Sequence, residues 1–387
     1  MAGGSEVPPH AYPITGVIRT VIFATPRFGD GAGVYTPIES ANCGATLIAP
    51  RFVITAGHCA IEMKRMKDSL TELSIERVAL DFFESYSVVQ QFQLSGSIDE
   101  SPDPETQNNV STDGAVDVVA FHIPLATEQL VSDATVTMST SREDWMRLYA
   151  TDIGIAELAE PVTSVAPQYL PRVAWPIRIG DVPRGENEPA LRPRSVMDAL
   201  DSSTPAVHFL SHGSMGIEDP PGAYNPRRGT DAFLWWGDGE RLAFAVMPHE
   251  AIEDRSRPLP ISCMGDSGSA VFGQSAINRD DAIQYTVVSL QSSDAIQRAA
   301  DGELTFQRNA ACERRSYCDG REPNGPYFVS LTGGPRLCSS FSREFIQSVI
   351  TEHSDTPPTF DCDAEADKVS TPRSIPLLVP QEYCDPA

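Results

Sequence analysis

The chain has 387 residues, 29 of them basic and 53 acidic, for a formal net charge of −24. So acidic a chain repels phosphate backbones and anionic lipid, which excludes nucleic acid and membrane surfaces as expected partners; no apolar run approaches the roughly 18 residues of a membrane-crossing helix. Hydrophobic residues at 41% and charged residues at 21% give an ordinary globular composition, and the length suggests about two or three compact units with ample material for a core.

In chain order, β-branched and aromatic residues concentrate in Ile14–Ala24, Thr46–Thr55, Arg77–Phe83, Tyr86–Leu94, Val116–Ile123, Ala206–Leu210, Leu242–Val246 and Tyr285–Leu290, with Gly, Pro, Asn and Asp clusters between them. Many short strands with turn signals predict an all-β sandwich or barrel. The acidic stretch 97–117, with Asp99, Glu100, Asp103, Glu105, Asp113 and Asp117, reads as a solvated loop, because its spacing is too irregular for a calcium site. One late segment has helical period: Phe341, Phe345, Ile346, Val349 and Ile350 fall on one face, with Ser340 or Ser342 as the expected N-cap. Residues 352–387 turn acidic and Pro-rich, and read as an irregular tail held by disulfides.

The eight cysteines, Cys43, Cys59, Cys263, Cys312, Cys318, Cys338, Cys362 and Cys384, are widely spaced and lack the paired CxxC spacing of a zinc site. An even count points instead to four disulfides in an oxidising compartment, so a secreted or periplasmic location is expected. No basic-then-apolar leader opens the chain. The written sequence is therefore expected to begin after processing or to carry a start added for expression.

Two stretches carry chemistry. Cys43-Gly-Ala-Thr-Leu-Ile-Ala-Pro-Arg-Phe-Val-Ile-Thr-Ala-Gly-His58-Cys59 runs an apolar strand into small residues and then a histidine, bracketed by two cysteines. A general base needs a fixed imidazole with room beside it for substrate. His10, His122, His208, His212, His249 and His353 have no such setting. In Cys263-Met-Gly-Asp-Ser-Gly268, glycines flank Ser267 and allow close backbone approach. The amides of Gly265 and Ser267 can then point at one spot, where a carbonyl oxygen would become negative.

A third stretch, Asp152-Ile-Gly-Ile-Ala-Glu-Leu-Ala-Glu-Pro161-Val162, completes a pattern. With it the chain resembles the chymotrypsin/trypsin family of serine peptidases, whose aspartate opens a D-I-A-L-x-x-L-x-x-P-V stretch and whose triad runs in the order His58, Asp152, Ser267. The rival Asp117, in Val-Asp-Val-Val-Ala-Phe-His122, lacks the L-x-x-P-V continuation. The resemblance covers residues 3–351, and Gly3–Pro13 looks like the start of a mature family chain. It implies two six-stranded antiparallel β-barrels, about 14–165 and about 166–340, followed by a helix at about 341–351. It implies a serine endopeptidase with catalytic His58, Asp152 and Ser267, an oxyanion hole at Gly265 and Ser267, and no metal or organic cofactor.

The resemblance further implies the pairs Cys43–Cys59 and Cys263–Cys318, and leaves three pairings open for Cys312, Cys338, Cys362 and Cys384. Ser289 matches the serine that supports the aspartate, and Ile261, Gln291 and Gly325 match the rest of the substrate pocket. With Ile261 at the pocket base, cleavage after small or medium apolar residues is expected. The expected partner is a protein or peptide substrate, acted on by a monomer. Asp266 matches the aspartate that receives a freed N-terminal amine. Either such a start is missing from the written chain, which is favoured, or another group satisfies Asp266. The long intervals between the triad positions, Gly154 in place of alanine, Ser269 in place of a second glycine, and Ser211-His212-Gly213 in place of Gly-Trp-Gly depart from the family. A binding protein on the same fold, with an occluded cleft, is the alternative reading, since fold alone does not fix activity; a hydrolase of non-peptide esters is a third.

Overall fold

The computed structural model describes residues 5–7, 12–26, 36–72, 83–94, 115–133, 142–162, 177–181, 206–211, 228–237, 239–246, 266–273, 283–298, 304–307, 328–351, 353–354 and 356–362. The first strand, β1 (Ser5–Glu6), pairs with a later one. Then β2 (Thr15–Pro26), β3 (Thr36–Ala49), β4 (Phe52–Thr55), β5 (Phe83–Leu94), β6 (Ala115–His122) and β7 (Gly154–Leu158) close into a barrel in the order β2-β3-β4-β7-β6-β5. Its interior is filled by Ile18, Leu47, Val53, Phe92, Leu94, Val116, Val118, Ala156 and Leu158. β4 is buried throughout because both of its faces are covered: Val53 points into the barrel, while Phe52 and Ile54 point outward into a second cluster.

That second cluster is sealed by a late helix. Among the described residues three helices, α1 (Gly57–Glu72), α2 (Leu125–Asp133) and α3 (Arg142–Thr151), precede it, and it is α4 (Ser340–Ile350). On α4, Ile346, Val349 and Ile350 pack against Phe52, Ile54, Ile153 and Ile155 of the first barrel. Its N-cap is Ser339, whose hydroxyl accepts the Ser342 N–H at 3.1 Å, rather than the expected Ser340 or Ser342.

The remaining strands are β8 (Arg178–Gly180), β9 (Ala206–Ser211), β10 (Arg228–Gly237), β11 (Arg241–Val246), β12 (Ala270–Gly273), β13 (Ile283–Val287), β14 (Leu290–Arg298), β15 (Leu304–Gln307), β16 (Phe328–Pro335) and β17 (Thr359–Asp361). Among the described residues they pair in the order β15-β14-β16-β11-β10-β9-β12-β13-β8-β17, with β1 on β10. An isolated bridge joins Thr286 of β13 to Arg336, just past β16. Val207, Phe209, Leu242, Phe244, Val271, Tyr285 and Val288 form the core of this unit.

The chain is mostly strands, as expected, but α1, α2 and α3 correct the expectation of a single helix. α1 buries Ala60, Met63 and Met66 at helical spacing. The tail is also more regular than expected: β17 extends the second sheet parallel to β8, Phe360 packs on the sealing cluster, and a disulfide joins Cys338 to Cys362. At the same junction the fully buried Arg336 donates from Nε and Nη2 to the two Asp181 carboxylate oxygens at 2.6 Å each, and from Nη1 to the Gly239 carbonyl at 3.0 Å.

Candidate active site

The antiparallel register of β4 and β7 brings two of the expected residues together. Thr55 pairs with Gly154, so the chain leaving β4 toward His58 runs beside the chain entering β7 from Asp152. The His58 N–H donates to Asp152 Oδ1 at 2.6 Å, and His58 Nδ1 lies 2.7 Å from Asp152 Oδ2. The carboxyl group of Asp152 thus satisfies an N–H in the first turn of α1, a turn whose donors lack helical partners, and holds the ring of the same residue. Gly57 is required there. A Cβ on it would stand 2.9 Å from Asp152 Oδ1 and 2.6 Å from Thr127 Cγ2. Gly154, a departure from the family's alanine, faces Ala60 of α1, whose Cβ would lie 2.8 Å from an added one. The disulfide between Cys43 and Cys59 ties the first turn of α1 back to β3.

Asp152 is fully buried and Ser289 donates its hydroxyl to Oδ2. Burial alone pushes the Asp152 carboxyl upward. The attraction of His58 and the hydrogen bonds from the His58 ring, Ser289 and the His58 backbone outweigh burial and hold the group below its ordinary value of 3.8. His58 itself is 29% exposed at its side chain, so the ring is accessible from one edge. Its Nε2 lies 3.6 Å from Cys59 Sγ.

Asp117 does not enter this arrangement. It sits in β6 on the solvent side and accepts a hydrogen bond from Gln91 at 3.0 Å.

Ser267 lies in a turn that closes with the Ser269 N–H on the Asp266 carbonyl at 3.1 Å. Gly268, at the third position, has φ of 78°, a backbone state that glycine adopts without a Cβ penalty. This turn docks on the first barrel. The Gly44 N–H donates to the Ser267 carbonyl at 2.7 Å. A Cβ on Gly268 would stand 2.1 Å from the Gly44 carbonyl oxygen, 2.2 Å from Thr55 Oγ1 and 3.2 Å from the Ala56 nitrogen. Thr55 Oγ1 in turn donates to the Gly44 carbonyl at 2.8 Å. The half-buried Ser267 therefore rests against the segment that runs, two residues past Ala56, into His58.

Gly44 and Thr55, which form this seat, both stand in the histidine stretch, where nothing in their local sequence marks the contact. Ser211, where the sequence departs from the family pattern, is buried and donates its hydroxyl to Asp266 Oδ1. The Cys43–Cys59 pair forms as expected, and Cys338 and Cys362, whose pairing was open, are joined. Gly265, Ile261, Gly325, Cys263, Cys318, Cys312 and Cys384 lie outside the described residues. Gln291 is in β14, paired with Thr332 of β16; Thr332 is fully buried with its hydroxyl unpaired.

No family model and no curated protein matches the chain. Among solved structures it is similar to a Glu endopeptidase in complex with MPD, at 12% identity over 90% of this chain and 97% of that one, with a TM-score of 0.38. It is also similar to two mutants of human heparin binding protein, each at 12% identity and covered in full, over 92% and 93% of this chain, with TM-scores of 0.42 and 0.40.

Proposed function

We propose that the chain is a serine endopeptidase that cleaves protein or peptide substrates through an acyl-enzyme intermediate. The observation that carries this reading is the hydrogen-bonded line Ser289–Asp152–His58, with the Ser267 turn docked beside it. With Nδ1–H donated to Asp152, a neutral His58 carries its lone pair on Nε2. That atom takes the proton as Ser267 Oγ attacks the scissile carbonyl, and returns it to the leaving amine. Water then repeats the cycle: His58 deprotonates it, the acyl–oxygen bond to Ser267 breaks, and the serine proton is restored. Asp152 holds the ring in this tautomer and stabilises its charged form. The amides of Gly265 and Ser267 hold the developing oxyanion. No metal or organic cofactor takes part in these steps.

The Thr286–Arg336 bridge, with the Thr286 hydroxyl on the Pro335 carbonyl at 2.7 Å, supports closing β9–β12–β13–β16–β11–β10 into a second barrel. Residues 3–351 form the peptidase unit in this reading, with 352–387 as a disulfide-held tail. Ile261, Ser289, Gln291 and Gly325 line the substrate pocket, and small or medium apolar side chains fill it. The enzyme acts as a monomer, and the disulfides fit an oxidising compartment, outside the cell or in a periplasm. Labelling by a fluorophosphonate probe, lost on Ser267→Ala, together with casein cleavage is the expected result. A folded chain that neither labels nor cleaves overturns the reading in favour of a binding protein; labelling without cleavage of any peptide points to an esterase.

A further inference from the structure

Asp266 immediately precedes Ser267, is wholly buried, and accepts the hydroxyl proton of Ser211. A buried carboxyl group demands hydrogen-bond partners, and the removal of one leaves the other unsatisfied. Ser211 is the last residue of β9, itself 2% exposed. β9 pairs with β12 through Phe209 and Val271, His208 and Phe272, and Val207 and Gly273. Continued by two residues, that register sets Ser211 level with Ser269, where the chain leaves the ladder for the Ser267 turn. The backbone of the turn is fixed to the first barrel by Gly44 N–H on the Ser267 carbonyl, and to the second unit by Gly268 N–H on the Val288 carbonyl at 2.7 Å. Its leading residue is held through a side chain.

We propose that Ser211 is a positioning residue: by anchoring Asp266 from the end of β9, it fixes the backbone angle at which the turn presents Ser267 and its amide to a substrate carbonyl. The proposal rests on Ser267 being the nucleophile. Loss of the hydroxyl lets the Asp266 side chain turn and the Ser267 amide drift, which weakens stabilisation of the transition state more than binding of the ground state.

The test compares wild type with Ser211→Ala and with the isosteric pair Ser211→Thr and Ser211→Val, each checked for folding by near-ultraviolet circular dichroism. Fluorophosphonate labelling rates and kcat and KM on an ester substrate are measured. The expected result is a fall in kcat and in labelling of about tenfold or more in the alanine and valine variants, with KM little changed, and a threonine variant close to wild type. If alanine does not fold, the threonine and valine pair carries the comparison, since the two differ in the hydroxyl. Equal kcat in threonine and valine variants overturns the proposal, as does a change confined to KM or failure of valine to fold where threonine does. A wild-type chain that never labels refutes instead the peptidase reading beneath it.

Discussion

Asp152 receives two hydrogen bonds from one residue: the His58 backbone N–H on Oδ1 and the His58 ring Nδ1 on Oδ2, at 2.6 and 2.7 Å. The same carboxyl group therefore fixes where α1 begins and which way the imidazole at its start faces. Ser289 fills the remaining direction on Oδ2.

Asp152→Asn is expected to lower kcat by about 10⁴, because an amide there favours the wrong ring tautomer. Asp117→Asn, at an exposed side chain that accepts a hydrogen bond from Gln91 at the barrel surface, leaves kcat within about twofold, a surface substitution of small effect. Steady-state hydrolysis of an ester substrate by both variants decides the assignment. Inactivation by the second variant alone contradicts it.

The depressed Asp152 titration has a consequence for acid stability. Its folded-state value lies below 3.8, so the unfolded chain binds this proton more readily, and the stabilising contribution is present above 3.8 and lost as pH falls through the folded value. Urea unfolding of wild type and Asp152→Asn across pH 2 to 5 should show a stability difference that shrinks as pH falls below about 4. A difference that grows on acidification has the wrong sign.

Gly268→Ala places a Cβ 2.1 Å from the Gly44 carbonyl oxygen at a φ of 78°. The left-handed backbone alone costs about 1–2 kcal/mol, and the clash forces the Ser267 turn off its seat. Reduced thermal stability together with loss of probe labelling is expected. Unchanged labelling means that the seat does not fix Ser267.

Non-reducing peptide mapping should recover Cys43–Cys59 and Cys338–Cys362. With Cys263–Cys318 formed, the remaining peptide is Cys312–Cys384. Cys362→Ser together with Cys338→Ser should destabilise the chain by about 2–4 kcal/mol, because the bond pins β17 and Phe360 to the cluster under α4. A Cys263–Cys312 peptide contradicts the expected Cys263–Cys318 pair.

Peptide-library profiling should give no strong cleavage after Arg or Lys. In the proposed pocket an unpaired cation against Ile261 would be costly, and the residue laddered to Gln291 is the uncharged, buried Thr332.

The sequence by itself determined the strand-rich character, the cysteine-bracketed histidine stretch and the glycine-flanked setting of Ser267, because these are local: alternating apolar residues, small residues before His58, and glycines around a serine. It ranked Asp152 above Asp117 by the stretch that follows each. Only the tertiary structure put Asp152 against His58, since that contact follows from the pairing of β4 with β7 across the interval that holds α1, α2 and α3. The same long-range pairing decided that Gly44 and Thr55 seat the Ser267 turn, that Ser211 reaches Asp266, and that Cys338 meets Cys362 beside β8. α1 lay hidden because its buried apolar residues, Cys59, Ala60, Ile61, Met63 and Met66, include an adjacent trio that blurs the helical period, and its first turn is held by a carboxyl group from a distant segment. A side chain's partner across the fold leaves no periodic mark in its own neighbourhood, so the candidate site residues were legible one by one and their geometry was not.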